Sequence, residues 1–433
     1  MRSPRRRGAP RPGHSATTAH FQAAYPFLAD GGLGAPGVYV GQDACGGAWV
    51  FDPWEAYSRR LIDGTCMLVL GKKNKGKSTF CKTYLLRQRL TGAQGFVLDP
   101  KGEYGPLARA LGGTVLRLSP EGEIRINPIA RQGGFAARLD LLRSVVKATL
   151  HRDLTPEEDA GLRVALERVN TEAGDGGEPT LPMVVEALLA PSEEMLREVS
   201  ASSAESFATA NRDSALALQR LCKGDLKGMF DGPTTGGIDL QAPLVVIDLS
   251  EVNGSAALNI LMTCAAAWIQ SILAERKRLA EEEGLEAPKL TLVLEEVWRI
   301  AGELGLAEWL QECFKLCRAW GIQVIVVAHR LTDFGAVGDA GSRASQILEG
   351  LISDADVLVI FAQPFDQLDL VVSKLGRSRT EAELLPLLRR AEALWVVGTS
   401  SYLNRHRISQ LEAEISDTDA LMERRGGQAT VPP

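Results

Sequence analysis

Apolar residues fall into two rhythms along this chain. Continuous runs of strand length recur at Cys66-Met67-Leu68-Val69-Leu70, Gly95-Phe96-Val97-Leu98, Leu244-Val245-Val246-Ile247, Leu290-Thr291-Leu292-Val293-Leu294, Gly321 through Ala328, Val357 through Phe361 and Ala393 through Val397. Runs that are apolar on both pleat faces predict strands covered on both sides, as happens in a parallel sheet with helices above and below. Gly113 to Leu118 and Ile124 to Pro128 add one or two shorter strands, and Gly37 to Gly41 with Trp49 to Asp52 read as an entry hairpin. Ala393 to Gly398 is expected to close the sheet.

The second rhythm is helical. From about Phe135 to Asp239 the apolar positions Leu139, Leu142, Val145, Val146, Leu162, Ala165, Leu166 and Val169, then Met183 to Leu189, follow helix spacing. Thr155, Pro156 and Glu158 supply an N-cap, a first-turn proline and the acid of a capping box. Thr171 to Thr180 reads as an exposed loop. Longer helices are expected from about Ala256 to Glu283, whose Glu281 to Glu283 run is a solvated surface with Lys277 and Arg278, and from Ala307 to Trp320. After Arg405 the chain turns polar, with a short terminal helix.

These patterns predict an α/β fold, a mainly parallel sheet with a helical insertion. Its 433 residues suffice for more than one core at about 150 residues per domain. The expected parts are a flexible basic arm over 1–30, the hairpin over 31–62, a first core segment over 63–130, the insertion over 131–239, a second core segment over 240–405 and a tail over 406–433.

The strongest chemical signal is Gly71-Lys72-Lys73-Asn74-Lys75-Gly76-Lys77-Ser78, a full G-x-x-x-x-G-K-[ST] pattern between an apolar strand and a helix. Glycines let the backbone N–H groups of such a loop converge on phosphate oxygens, and the helix start adds a positive dipole end. Gly71, Asn74, Lys75, Gly76, Lys77, Ser78 and Thr79 form the expected nucleotide-binding set. Only Lys77 is given a side-chain role on the β- and γ-phosphates, while Lys72, Lys73 and Lys75 are expected to point at solvent. Ser78 would ligate Mg²⁺.

A hydrolytic site also needs carboxylates. Glu295-Glu296 ends an apolar strand and offers both a metal-side ligand, Glu295, and a water-activating base, Glu296. Asp248 competes, but it lacks the paired acid. His329 ends another strand and is either a γ-phosphate sensor or an ordinary packed residue. For Asp99, Lys101 and Glu103, a place near the nucleotide and a plain strand-to-helix turn stand equally open.

Composition narrows the classes. A hydrophobic content of 45% with 24% charged residues fits a globular protein rather than a disordered one. The net charge of -6 argues against a wholly basic surface, yet leaves room for a basic channel inside an acidic exterior. Seven cysteines contain no C-x-x-C pair, so Cys313 and Cys317 are expected to be core thiols rather than zinc ligands, in a reducing cytoplasm. Apolar stretches such as Ala256 to Leu273 fall short of a membrane span of about 20 residues. The five arginines among residues 1–20 read either as a disordered tail or as a contact for nucleic acid or a partner.

Taken together, Gly71 to Thr79, the Asp99-Pro100-Lys101-Gly102-Glu103-Tyr104 turn, Ile126-Asn127-Pro128, the helical insertion, Leu294-Glu295-Glu296-Val297-Trp298 and the strand ending at His329-Arg330 resemble the FtsK and HerA superfamily of ring ATPases. The resemblance is strongest to the conjugative-transfer, or type IV secretion, ATPases and spans roughly residues 37–405. It implies a RecA-like P-loop NTPase core and ATP and Mg²⁺ as cofactors. It further implies a hexameric ring of identical chains, with DNA and a membrane secretion or transfer apparatus as candidate partners. The chain itself is expected to be cytoplasmic, held at the inner membrane only through partners.

Residue by residue, the resemblance makes Glu296 the catalytic Glu. Glu295 stands where the family usually has Asp. Lys315 and Arg318 fall in the region that reaches a neighbouring subunit's nucleotide, which makes Arg318 an arginine-finger candidate. His329 departs from the usual Gln, and Gln363 lies on the adjacent strand. The alternatives are a nucleotide-gated coupling protein with little turnover and a HerA-like DNA translocase. A GTPase lacks support because no Asn-Lys-x-Asp motif occurs, and a small-molecule kinase fits the paired carboxylates less well.

Overall fold

In the computed structural model, residues 32–416 are described apart from 121, 132–133, 151, 175, 225, 253–257, 286–287, 297–306, 308–309, 312, 316, 318–319 and 333–342. Among the described residues, eleven strands form one sheet: β1 Val38–Asp43, β2 Ala48–Phe51, β3 Cys66–Leu70, β4 Gln94–Asp99, β5 Thr114–Arg117, β6 Leu244–Asp248, β7 Leu290–Leu294, β8 Ile322–Ala328, β9 Val357–Phe361, β10 Glu392–Val397 and β11 Ser400–His406. Their order is β2-β1-β11-β10-β9-β3-β8-β7-β4-β6-β5. From β9 to β5 every pairing is parallel, whereas β10, β11, β1 and β2 make an antiparallel wing.

The apolar runs are explained by cover on both faces. Leu68, Leu70, Leu292, Leu294, Val324 and Val326 join one buried cluster, and the alternate residues Met67, Val69, Val293, Ile325 and Val327 join another. The first cluster continues without a break into the helices between β5 and β6, including Leu142, Val146, Leu166 and Leu218. The second carries the aromatic group Trp49, Phe51, Phe80, Tyr84 and Trp395, in which Phe80 meets Trp395 edge-on at 5.5 Å. That contact ties the phosphate-loop helix Lys77–Gln88 to the antiparallel wing.

Local signals did their work where they were strong. Thr155 caps helix Pro156–Ala173, with both halves of the capping box made by Thr155 and Glu158 at 3.2 and 2.9 Å. The long helix runs over Leu258–Glu283, and the described residues between 307 and 320 are helical up to the turn at Gly321. A short helix, Gln410–Ser416, follows the last strand. Cys313 and Cys317 are buried thiols, and Cys66 Sγ donates to Cys317 Sγ at 3.3 Å.

Two expectations are corrected. Ile124 to Pro128 is not a strand, because its backbone is taken by residues distant in the chain without forming a ladder: Thr235 Oγ1 accepts from Arg125 N, Thr234 Oγ1 from Asn127 N and Met229 O from Ile126 N. Pro128 removes a further donor. Nor does β10 close the sheet. β11 pairs with it antiparallel, and the entry hairpin then pairs through β1 with β11, so that β2 is the edge.

Candidate nucleotide site

Five neighbouring strands, β9, β3, β8, β7 and β4, deliver their carboxyl ends to one edge of the sheet. β3, between β9 and β8, leads into the phosphate loop. Gly76 caps the following helix with φ 106°, a backbone conformation that side chains disfavour, and a Cβ at Gly71 would lie 2.5 Å from Phe361 Cβ. The loop is pinned on both sides: Lys72 N donates to Ala362 O at 3.0 Å, and Ala391 N to Lys75 O at 3.0 Å. Lys72, Lys73 and Asn74 are exposed, Lys75, Ser78 and Thr79 are half-buried, and Lys77 is buried.

Lys77 Nζ turns inward, donating to Gly71 O and, at 3.1 Å, to Lys72 O. It also lies 3.0 Å from His329 Nδ1, while His329 Nε2 stands 2.9 Å from Glu296 Oε1. One tautomer serves both contacts, with Nδ1 accepting from the ammonium and Nε2–H donating to the carboxylate. Lys101 Nζ pairs with the same Glu296 oxygen. Glu296 itself has φ 56°, a left-handed backbone at a residue with a Cβ. Such strain tends to gather at functional sites.

Glu295 occupies a different environment. It is buried, and Tyr104 O–H donates to its Oε1 at 2.7 Å. Burial pushes the Glu295 carboxyl up to about 7 despite that bond. At Glu296 burial also acts upward, but hydrogen bonds from His329 and Lys101 win and hold the carboxylate down to about 2. Adjacent acids are thus driven apart, the environment in which paired carboxylates take different roles. Burial lowers the Lys77 ammonium to about 8, opposed by the nearby charges of Glu295 and Glu296.

Asp248, the competing acid, is placed elsewhere. β6 is the fourth strand from β3, about 19 Å away at sheet spacing, whereas β7 is the second, about 10 Å away. Asp248 instead accepts from Arg117 Nε at 3.1 Å and Ser250 N at 3.0 Å. Glu103 lies 3.8 Å from the buried Lys82, and Asp99 binds the backbone of its own turn. Gln363 Nε2 donates to His329 O at 3.3 Å, and its buried Oε1 finds no hydrogen-bond partner among the described residues. Arg318, like Val297 and Trp298, lies outside the described residues, and Lys315 is exposed on its helix.

The donor set fits a magnesium nucleotide. A serine hydroxyl at a helix start and a single buried carboxylate are what Mg²⁺ takes from a protein when phosphates and waters complete its shell. Beside Gly76 and Thr79 lies a cavity of about 300 Å³, walled in part by Arg390, Ala391, Ile408 and Ala413. Sequence reasoning missed Tyr104 as the partner of Glu295 and the contribution of residues 390–416 to this cavity.

Solved structures share this architecture. VirB4 of Thermoanaerobacter pseudethanolicus aligns over 88% of this chain and 100% of its own, at 24% identity and a TM-score of 0.69. The bacterial conjugative coupling protein TrwB, in its unbound form, aligns over 80% of this chain and 86% of its own, at 16% identity and a TM-score of 0.54. The chain has the fold of VirB4 and TrwB. That is the α/β core with a largely parallel sheet which the resemblance to the FtsK and HerA superfamily implies. TrwB has also been solved with ADP and Mg²⁺, at 17% identity and a TM-score of 0.52. No protein-family model and no curated protein sequence matches the chain. Among the described residues, no helix is long and apolar enough to cross a membrane.

The opposed carboxylates make a testable difference in stability. A Glu295 pKa raised to about 7 from the ordinary 4.5 favours the neutral acid in the folded state. Its contribution is therefore full below pH 4.5 and is lost as pH rises through 7. Glu295→Gln keeps the acceptor for Tyr104 without the buried charge. In EDTA and without nucleotide, it should be more stable than the parent at pH 8, by about 3 kcal/mol, and close to the parent at pH 5. Parallel melting curves across that range would contradict a buried, neutral-leaning Glu295.

Proposed function

We propose that this protein is a Mg²⁺-dependent ATPase that works as a ring of identical subunits, driving conjugative DNA transfer or type IV secretion. The observation that carries the reading is the convergence of the phosphate loop, Glu295-Glu296 and His329 on the ends of the neighbouring strands β3, β8 and β7. A chain that only bound nucleotide would need the loop. It would not need two carboxylates with opposed environments beside it.

In this mechanism the loop N–H groups from Gly71 to Thr79, with Lys77, hold the phosphates. Ser78 and Glu295 would hold Mg²⁺, which would supply charge neutralisation to the phosphates. Glu296 orients the attacking water, and His329, bonded to both Lys77 and Glu296, senses the γ-phosphate end of the site. Arg318 of the next subunit in the ring stabilises the charge that develops on transfer. The base and ribose extend toward the cavity beside Thr79. The likeness in fold to VirB4 and to TrwB supports a place in conjugation or secretion, with the chain cytoplasmic and reaching the membrane through partner proteins.

ATP turnover, measured with and without Mg²⁺ and with single- or double-stranded DNA, tests the reading together with mass in solution. Mg²⁺-dependent hydrolysis by an oligomer is the expected result. Stimulation by DNA would select the translocase, and its absence an energiser of the secretion apparatus. A monomer with ATP bound and no turnover would favour a nucleotide-gated coupling protein and overturn the motor.

A further inference from the structure

Lys101 has no part in the mechanism above, yet its ammonium pairs with the Glu296 carboxylate. The turn that carries it is fixed. Buried Asp99 accepts the backbone N–H groups of Lys101 at 3.1 Å, Gly102 at 2.9 Å and Tyr104 at 2.9 Å. Lys101 is thereby delivered to Glu296 from a neighbouring strand end by a rigid element, since β4 pairs directly with β7.

Glu296 Oε1 accepts from Lys101 and, at 2.9 Å, from His329 Nε2. The residue also keeps its left-handed backbone, which a side chain with a Cβ retains only where its surroundings over-determine it. A carboxylate that orients water must present a free lone pair to that water within hydrogen-bond reach. With an ammonium and a ring N–H both on Oε1, the Glu296 carboxylate is fixed in the orientation those two partners impose. Lys77 does not supply this hold, because its own contacts are Gly71 O, Lys72 O and His329 Nδ1.

We infer that Lys101 is a positioning residue that restrains Glu296, keeping its carboxylate from the attacking water until the charge of a γ-phosphate competes for the ammonium. The inference rests on the ATPase reading and deepens it by naming what regulates the water-activating group. It places the timing of hydrolysis in the turn after β4.

Lys101→Met should raise kcat about threefold or more while leaving the Kd for ADP, which has no γ-phosphate, within about twofold of the parent. Lys101→Arg should restore the parent's turnover. An unchanged kcat overturns the restraint. So does a fall in kcat, and a fall repaired by arginine would instead make Lys101 a phosphate-binding cation. A second measurement needs no hydrolysis: nucleotide-free melting temperatures of the parent, Lys101→Met, Glu296→Gln and the double variant. Pairing predicts that the effect of Lys101→Met changes markedly in the Glu296→Gln background, and additive effects overturn it. Coupled melting temperatures in a protein that turns nothing over would sink the ATPase reading and leave the pairing standing. Additive temperatures beside normal turnover would do the reverse.

Discussion

Lys77→Ala is expected to lower ATP turnover by about 100-fold or more and to remove nucleotide binding with it. Lys77 Nζ is buried among Gly71 O, Lys72 O and His329 Nδ1, where water screens its charge poorly. A phosphate chain arriving there meets a full positive charge, and the alanine variant offers none. The folded state should tolerate the change, because burial already disfavours the ammonium and lowers it to about 8. The diagnostic is therefore a difference between two melting curves. At a nucleotide concentration of about 100 times Kd, binding adds about 2.7 kcal/mol to the parent's stability. The variant should melt at or above the parent's nucleotide-free temperature and show no such shift. A variant that keeps the shift, with turnover within about tenfold of the parent, would remove Lys77 from the site.

Glu296→Gln is expected to keep nucleotide binding and lose turnover by about 10²- to 10⁴-fold. Glutamine preserves the side-chain oxygen that His329 approaches at 2.9 Å, so the packing of the site survives while the negative charge needed to orient and polarise water does not. ATP should then remain bound and intact, recoverable from the purified variant. The companion Glu295→Gln separates the two acids. It should raise the Mg²⁺ concentration needed for turnover rather than trap ATP, since Glu295 is the proposed metal-side acid and is bound to Tyr104 O–H at 2.7 Å. Trapping by Glu295→Gln but not by Glu296→Gln would exchange their roles, and equal, negligible turnover in parent and variant would sink hydrolysis altogether.

The parallel strands were legible because burial on both faces forces continuous apolar runs, and the two clusters split Met67 and Val69 from Leu68 and Leu70 as that reasoning requires. The capping box at Thr155 was legible because it is closed within four residues. β11 was not. Its residues Ser400 to His406 are largely polar, and only pairing with β10 and β1 makes them a strand. Ile124 to Pro128 failed for the converse reason, since threonine hydroxyls about 110 residues away satisfy the backbone that a ladder would have used. In the site, strand ends pointed correctly to Glu295, Glu296 and His329 as neighbours of the phosphate loop, but no spacing rule could tell Glu296's partners from those of Glu295.

By itself the sequence determined the phosphate loop, the buried strands and the carboxylates at a strand end, because each is encoded by residues that touch through the local backbone or repeat along it. The tertiary structure alone decided the rest. Strand order put β7 beside β4 and β8, and so brought Lys101 and His329 onto Glu296 and Tyr104 onto Glu295. Those contacts join residues about 30 to 200 positions apart in the chain, and the sign of each carboxylate's shift comes from the burial and charges they create.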